Sequence, residues 1–168
     1  LVPLLSGVSL SIDPGKKVVV TGKSGSGKSA MMALFSGLYE EYQGKVLVND
    51  LSLEYINLEK FRGMVGDFLE LQQIFHGTIL ENICLGRECS QEQLDYLIEL
   101  VGLKDFIYQA PLGLETQLQP EGKGLSKTIA HQILLARGFV GSPKALIMEN
   151  ILNYVDPRVK ERVIDYII

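Results

Sequence analysis

The sequence predicts an α/β fold of the P-loop type, and three observations support this prediction. Residues 22–29 fit the phosphate-binding pattern G-x-x-x-x-G-K-S/T. An apolar run, residues 17–21, precedes this segment, and a helix-patterned stretch, residues 30–37, follows it. Residues 145–148 are wholly apolar, which is typical of a central strand in a parallel sheet. Together these features indicate a strand–loop–helix unit and a buried parallel strand.

Further strands are predicted where apolar residues alternate or run together between turn signals. Residues 8–12 alternate and are followed by an Asp-Pro-Gly turn, so we expect a half-buried strand there. Residues 17–21 are expected to form a buried strand that leads into the P-loop. Residues 45–48 and 64–68 are expected to be strands as well.

The middle of the chain is predicted to be helical, because its segments carry an apolar face at helical spacing or begin with a capping residue. Ser90 and Gln93 have the spacing of a capping box. The predicted helices span residues 30–37, 78–85, 91–101, 104–109, 126–140 and 157–168. The order is therefore β-rich, then a P-loop unit, then a helical insert, then a return to the sheet.

Composition and charge limit the classes of function. The chain has 168 residues, of which 46% are apolar and 21% charged, as in a globular domain with a core. The net charge of −4 comes from interspersed signs, which argues against nucleic acid as a partner. No apolar run reaches the length of a membrane span, and we find no signal peptide. Both ends are interpreted as cuts through a larger protein.

The cysteines and histidines give weaker signals. Cys84 and Cys89 lie five positions apart, and no Cys or His pattern completes a metal site around them. We expect two ordinary reduced thiols, with a disulfide or a metal role as the alternatives. His76 and His131 stand alone in the sequence, so a surface or packing role is expected for each.

The P-loop is predicted to bind a nucleotide. Its glycines allow backbone N–H groups to wrap around phosphate oxygens, and the helix start adds partial positive charge. Lys28 is expected to reach the β- and γ-phosphates, and the Ser29 hydroxyl to coordinate Mg²⁺. The predicted nucleotide-binding residues of this loop are Gly22, Ser24, Gly25, Ser26, Gly27, Lys28, Ser29 and Ala30.

Several stretches in sequence order resemble the nucleotide-binding domain of ABC transporters, within that family the exporter type. Residues 75–83, FHGTILENI, are similar to the family's F-x-G-T-I-x-E-N-I. Residues 122–126 and 132–137 match the family's signature motif region and the helix after it. Residues 143–157 lie where Walker B and the D-loop belong. The resemblance covers essentially the whole chain.

The resemblance implies an ABC ATPase fold with a mixed sheet and a small antiparallel β portion. Residues 1–168 would form one domain, truncated at both ends, with a core of residues 1–70 and 131–168 and a helical subdomain at about 71–130. It implies ATP and Mg²⁺ as cofactors, and as partners a second such domain in a homo- or heterodimer and the transmembrane domain of a transporter. The chain itself would lie at the cytoplasmic face of a membrane. Ser126 would contact the ATP bound by the partner.

Two motifs depart from the family before Walker B. Glu70 aligns with the Q-loop glutamine that touches the metal, although the nearby Gln72 and Gln73 leave a shifted register open. The signature reads LSKTI in place of LSGGQ, so Ser126 is kept and both glycines are lost. Side chains then obstruct a close approach of backbone to phosphate. Lys127 either supplies a compensating charge or is solvated.

Walker B ends in Glu149 and Asn150, where the family has Asp-Glu. Glu149 is still a carboxylate and is a predicted Mg²⁺ ligand with Ser29 and Glu70. Asn150 occupies the position of the catalytic base and cannot accept a proton, a loss that costs about 10²–10⁴-fold in rate. The sequence therefore predicts a domain that binds MgATP and hydrolyses it slowly or not at all. The alternatives are an active ATPase with compensated motifs and a non-hydrolysing regulatory module.

Overall fold

The computed structural model describes residues 4–39, 42–69 and 72–168. The chain divides into two compact units, Leu1–Ile56 and Asn57–Ile168. Glu70 lies outside the described residues, as does the first predicted boundary of the helical subdomain. Both boundaries of that subdomain, at about residues 71 and 130, stay predictions. None of the helices in the described ranges is both long enough and apolar enough to cross a bilayer.

The first unit contains a helix, a hairpin and a 3₁₀ turn. These are α1 (Lys28–Phe35), β1 (Leu47–Val48), β2 (Leu51–Ser52) and the 3₁₀ turn Leu53–Tyr55. β1 and β2 pair antiparallel, and Asn49 and Asp50 between them have φ values of 49° and 65°. Two central residues with positive φ are what a tight two-residue hairpin requires. The strand predicted at residues 45–48 is thus confirmed in part.

Two strands predicted for the first unit are wrong. The structure assigns no strand to residues 8–12 or 17–21, both of which it describes, and Val19 is 85% exposed. Neither segment belongs to any ladder among the described residues. An apolar run becomes a strand only where a neighbouring strand supplies hydrogen bonds and its face is covered. The sequence pattern shows which side chains are apolar, but it does not show whether a neighbouring strand is present.

The described part of the second unit contains six helices and four strands. The helices are α2 (Leu58–Gly63), α3 (Ile79–Cys84), α4 (Gln91–Val101), α5 (Lys104–Gln109), α6 (Lys127–Phe139) and α7 (Pro157–Ile167). The strands are β3 (Val65–Phe68), β4 (Gly77–Thr78), β5 (Gln117–Leu118) and β6 (Ala145–Met148). The predicted helices and the α/β class are confirmed. The predicted mixed sheet is not found among the described residues, whose strands form three separate two-stranded sheets: the parallel pair β3–β6 and the antiparallel pairs β1–β2 and β4–β5.

Side-chain caps explain where the helices of this unit begin. The hydroxyls of Thr78, Ser90 and Ser126 each accept the N–H group three residues ahead. Thr78 forms a full capping box, because Glu81 also accepts its backbone N–H at 2.7 Å. The box predicted at Ser90 is only half formed, since the Gln93 amide donates to the Ser142 hydroxyl instead.

The core of the second unit is built where α6 crosses the parallel pair β3–β6. Val65 stands opposite Ala145 and Phe68 opposite Met148, so the carboxyl ends of both strands meet at one edge. A Cβ atom on Gly138 of α6 would overlap the ring of Phe68. The helix therefore packs against the Phe68 ring so closely that no side chain fits at position 138.

We expect Gly138→Ala to destabilise the protein by about 1–3 kcal/mol, because the added methyl group overpacks the contact with the Phe68 ring. Denaturant unfolding measures the change. Gly63→Ala is the matched control: a Cβ at Gly63 would meet nothing within 4 Å, and its effect should stay within about 0.5 kcal/mol. Equal losses in the two variants would contradict this account of the core.

Candidate functional site

The backbone of the P-loop is shaped by two glycines in the left-handed region. Gly25 and Gly27 have φ values of 77° and 87°. Gly27 is the N-cap of α1, and its carbonyl accepts the Met31 N–H group at 2.9 Å. A Cβ on Gly27 would lie 2.7 Å from Cδ2 of Leu5, so both backbone conformation and space require glycine there.

The start of α1 is suited to an anion. Gly27 brings no capping side chain, and the first turn of the helix carries no acidic residue. The first N–H groups of a helix have no partner within the helix, and the helix dipole places partial positive charge there. A phosphate group meets both needs, which is the arrangement predicted from the sequence.

Lys28 is held over the P-loop by the loop's own carbonyl groups. Its Nζ donates to the Gly22 oxygen at 3.0 Å and to the Lys23 oxygen at 2.8 Å. An ammonium group has three N–H donors, so one donor is left beyond these two bonds. The lysine is thus pre-positioned, with a charge and a donor for a phosphate oxygen.

The other predicted P-loop residues lie in the same loop. The Ser26 N–H group donates to the Lys23 oxygen at 3.2 Å and closes a turn within the loop. Ser24 and Ser29 are exposed, and Ala30 is half-buried in the first turn of α1. The described residues contain no group of three His, Cys, Asp or Glu side chains that could hold a metal. Mg²⁺ fits this loop in the way it usually binds, through few protein ligands and the phosphates of a substrate.

Glu149 and Asn150 stand together at the carboxyl end of β6. The Glu149 N–H group donates to the Phe68 oxygen at 3.1 Å and extends the parallel pairing with β3. Asn150 is exposed and has a φ of 55°, and it opens the 3₁₀ turn Ile151–Asn153. Asparagine tolerates the left-handed region better than most residues, so the local backbone suits the residue that is present.

A small cavity of about 40 Å³ lies at this edge of β3 and β6 in the second unit. Its lining residues are Phe68, Leu69, Gln72, His131, Leu134, Glu149, Ile151 and Tyr154. The Gln72 amide donates to the backbone oxygen of Asp67 at 2.9 Å and also to its carboxylate. Burial raises the pKa of the Asp67 carboxyl, and the Gln72 hydrogen bond opposes that rise. The buried Gln72 Oε1 has no hydrogen-bond partner among the described residues.

His131 is oriented within this cavity by two contacts. Its Nδ1 lies 2.6 Å from the Lys127 oxygen, and its ring stacks on Tyr154 with 4.2 Å between centroids. Because a carbonyl oxygen only accepts, Nδ1 must carry the proton of this bond. In the neutral ring, Nε2 is then a proton acceptor.

The start of α6 offers a second helix N-terminus without acidic residues. Ser126 caps it, and its Oγ accepts the Ile129 N–H group at 3.2 Å. That bond uses the oxygen as acceptor and leaves the hydroxyl proton for another group. Lys127 is exposed, which is compatible with both expectations, a compensating charge for phosphate or a solvated side chain. The predicted contact of Ser126 with a partner's ATP stays a prediction.

A buried arginine fastens the segment after residue 71 to α6. Arg137 is 5% exposed and donates to the Asn82 oxygen at 2.7 Å, to Asn82 Oδ1 at 3.0 Å and to the Gln73 oxygen at 3.0 Å. Burial lowers the pKa of its guanidinium to about 10. Asn82 in turn holds both the N–H and the oxygen of Phe75. No role was predicted for these residues from their sequence.

The comparison with protein families decides the identity of the chain. The family model described as "ABC transporter" matches residues 5–153, which is most of its length. The chain belongs to the ABC transporter family. Its fold is accordingly the ABC ATPase form of the P-loop NTPase fold, as the sequence predicted.

The chain is similar to ATP-binding segments of longer ABC proteins. It is 32% identical over 155 residues to the colicin V secretion/processing ATP-binding protein CvaB of Escherichia coli, which covers 92% of this chain and 22% of that protein. It is 30% identical over 162 residues to the mitochondrial iron-sulfur clusters transporter ABCB7 of Homo sapiens, covering 96% and 22%. The chain therefore spans about a fifth of the length of these relatives.

A solved structure shows the same fold. It is a bacterial Atm1-family ABC exporter with ATP bound, and it matches with a TM-score of 0.75 at 25% identity. The match covers 85% of this chain and 25% of that one. The α/β arrangement described above is therefore that of an ABC domain.

The structure of this ABC domain brings some of the predicted site residues together and leaves others apart. The P-loop residues share one loop of the first unit, and Glu149 and Asn150 are neighbours in the second. Ser126 stands at a helix start, and Glu70 lies outside the described residues. Sequence reasoning missed the cavity residues His131 and Tyr154. Lys127 and His131 are four positions apart on a predicted helix and therefore lie on the same face of it. This spacing was the signal that could have indicated their contact.

We expect Lys28→Met to weaken ATP binding by about tenfold to a hundredfold, since it removes a charged hydrogen-bond donor that the loop pre-positions. Titration of the protein with a fluorescent ATP analogue measures the dissociation constant. Lys23→Met is the matched control, because it removes the same charge from the same loop and keeps the backbone carbonyl that binds Lys28. A similar loss in both variants would show that net charge, and not the position of Lys28, determines binding.

Proposed function

We propose that this chain is the ATP-binding domain of an ABC exporter, and that it binds MgATP and hydrolyses it slowly or not at all. The observation that carries the binding part is the glycine-capped start of α1, over which Lys28 is held by the Gly22 and Lys23 carbonyls. This arrangement presents N–H groups and a positive charge to a phosphate chain.

The exporter assignment is supported by relatives. One is a secretion and processing ATP-binding protein, another is an iron-sulfur clusters transporter, and the solved structure is an exporter with ATP bound. We propose that this chain likewise acts at the cytoplasmic face of a membrane and couples to a transmembrane domain. A second ABC domain, identical or different, would close on it around ATP. The net charge of −4 gives no support for nucleic acid as a partner.

Ser29 and Glu149 remain the proposed Mg²⁺ ligands on the resemblance of their motifs to the family. A hydroxyl and a carboxylate are both oxygen ligands, which Mg²⁺ prefers. Bound Mg²⁺ neutralises the charge that develops on phosphate oxygens during transfer. Glu70 is retained as a third candidate on sequence alone.

Slow hydrolysis is supported by Asn150. The position at which the family carries a glutamate base holds an amide, exposed and in a left-handed conformation that suits asparagine. An amide orients water but does not take its proton. Loss of a general base costs about 10²–10⁴-fold in rate, which is enough to turn a motor into a slow ATP-binding switch.

A second candidate function is an active ATPase with a substituted proton acceptor, and His131 favours it. The ring lines the same cavity as Glu149, and its Nδ1 contact leaves Nε2 as an acceptor. Histidine is the residue that most often serves as a general base. The two candidate functions predict different effects on the ATPase rate. Slow hydrolysis predicts a gain with Asn150→Glu, and a substituted base predicts a loss with His131→Phe.

We expect Asn150→Glu in the full-length protein to raise the ATPase rate by about 10²–10⁴-fold, because it restores a carboxylate base. Steady-state phosphate release under saturating ATP measures the rate. Asn150→Gln is the matched control, since it has the same length and the same backbone penalty at φ 55° but no carboxylate. The control should remain as slow as the parent.

Two results would change the conclusion. A parent protein that turns over at the rate of an ordinary motor, and shows no gain with glutamate, contradicts slow hydrolysis. If His131→Phe, which keeps a stacked ring on Tyr154, then lowers that rate by about 10²-fold or more, His131 is the substituted base. ATP affinity measured in parallel separates loss of binding from loss of chemistry.

A further inference from the structure

The connection between α3 and α4 is a tight reversal of the chain. Leu85 and Gly86 have φ values of 51° and 72°, and the Arg87 N–H group donates to the Cys84 oxygen at 3.0 Å. Two central residues with positive φ and a closing hydrogen bond define a compact turn whose ends lie within about 7 Å. Cys84 is the last residue of α3, and Cys89 directly precedes the cap of α4, so the two thiols flank this turn.

The turn places the two cysteines close together in the fold. Cys84 and Cys89 stand on either side of it, and each is half-buried against the edge of the core of the second unit. Partial exposure leaves both sulfurs open to a small reagent. Burial raises the pKa of both thiols, and the nearby Arg87 charge opposes that rise. Both thiols are therefore mainly protonated at neutral pH. Disulfide formation then depends more on how close the two thiols are than on a high fraction of thiolate.

Arg87 holds the turn in place. Its guanidinium donates to the Cys84 oxygen at 3.2 Å, to the Val140 oxygen at 3.0 Å and to the Arg137 oxygen. These bonds fasten the turn to the end of α6, which is part of the buried core. The distance between the thiols is thus set by tertiary contacts as well as by the turn.

We propose that Cys84 and Cys89 form a dithiol modification site, which a small disulfide such as glutathione disulfide converts into an intramolecular disulfide. One cysteine sulfur, after losing its proton to water, attacks glutathione disulfide and expels one glutathione thiolate. The second cysteine then loses its proton and attacks the mixed disulfide, and the second glutathione leaves. The protein loses two electrons, and one glutathione disulfide becomes two glutathione thiols.

The test uses the full-length protein equilibrated with defined ratios of oxidised to reduced glutathione. Remaining thiols are blocked, and the protein is digested with trypsin, which cleaves after Arg87 and separates the two cysteines. The disulfide then joins peptide 63–87 to peptide 88–104, and mass spectrometry quantifies this pair even when other cysteines are present. The same titration in strong denaturant gives the value for the unfolded chain.

We expect the linked pair to reach half-formation in the native protein at a glutathione ratio about tenfold less oxidising than in denaturant, because the fold holds the thiols together. Cys89→Ser should show only a glutathione adduct on peptide 63–87 and no linked pair. Adducts on both peptides without the linked pair would overturn the proposal. So would a native ratio equal to or more oxidising than the unfolded one, or no modification of either cysteine.

Discussion

The close packing of α6 on β3 is the constraint on which the second unit depends. Gly138 gives the helix no side chain at the point where it meets the Phe68 ring, so the backbone itself forms the contact. Helices α3, α4 and α7 then pack around this pair and complete the core. Because β3 is also paired in parallel with β6, the same contact sets the edge at which Glu149 and the cavity lie. The packing of α6 on β3 therefore positions the candidate chemistry at this edge.

Polar groups inside this core connect it to its surface turns. Arg137 is charged and buried, which is costly unless each donor is used, and its bonds go to Asn82 and to the Gln73 oxygen. Arg87 reaches the end of the same helix from the α3–α4 turn. Two arginines thus fasten the segment after residue 71 and the turn between the cysteines to one helix. A structural change in the segment after residue 71 or in the turn between the cysteines would therefore alter contacts of α6.

The candidate site separates two capacities that the family usually combines. Phosphate binding depends on backbone shape and one lysine, and both are provided by residues close together in the chain. Hydrolysis depends on a proton acceptor at a defined place, and Asn150 does not provide one. The neighbouring cavity contains His131, whose tautomer is set by the Lys127 carbonyl. Several features of the P-loop therefore agree in supporting phosphate binding. The expected rate of ATP hydrolysis depends on the single position 150.

Elements whose causes are local could be predicted from the sequence alone. The helix starts at Thr78, Ser90 and Ser126 depend on contacts within about four residues, which a pattern records. Family membership followed from motifs in register. The three-dimensional structure was needed to show that residues 8–12 and 17–21 are not strands and that His131 shares a cavity with Glu149. Ladder partners and cavity neighbours come from distant parts of the chain, and one-dimensional periodicity contains no information about which distant residues meet.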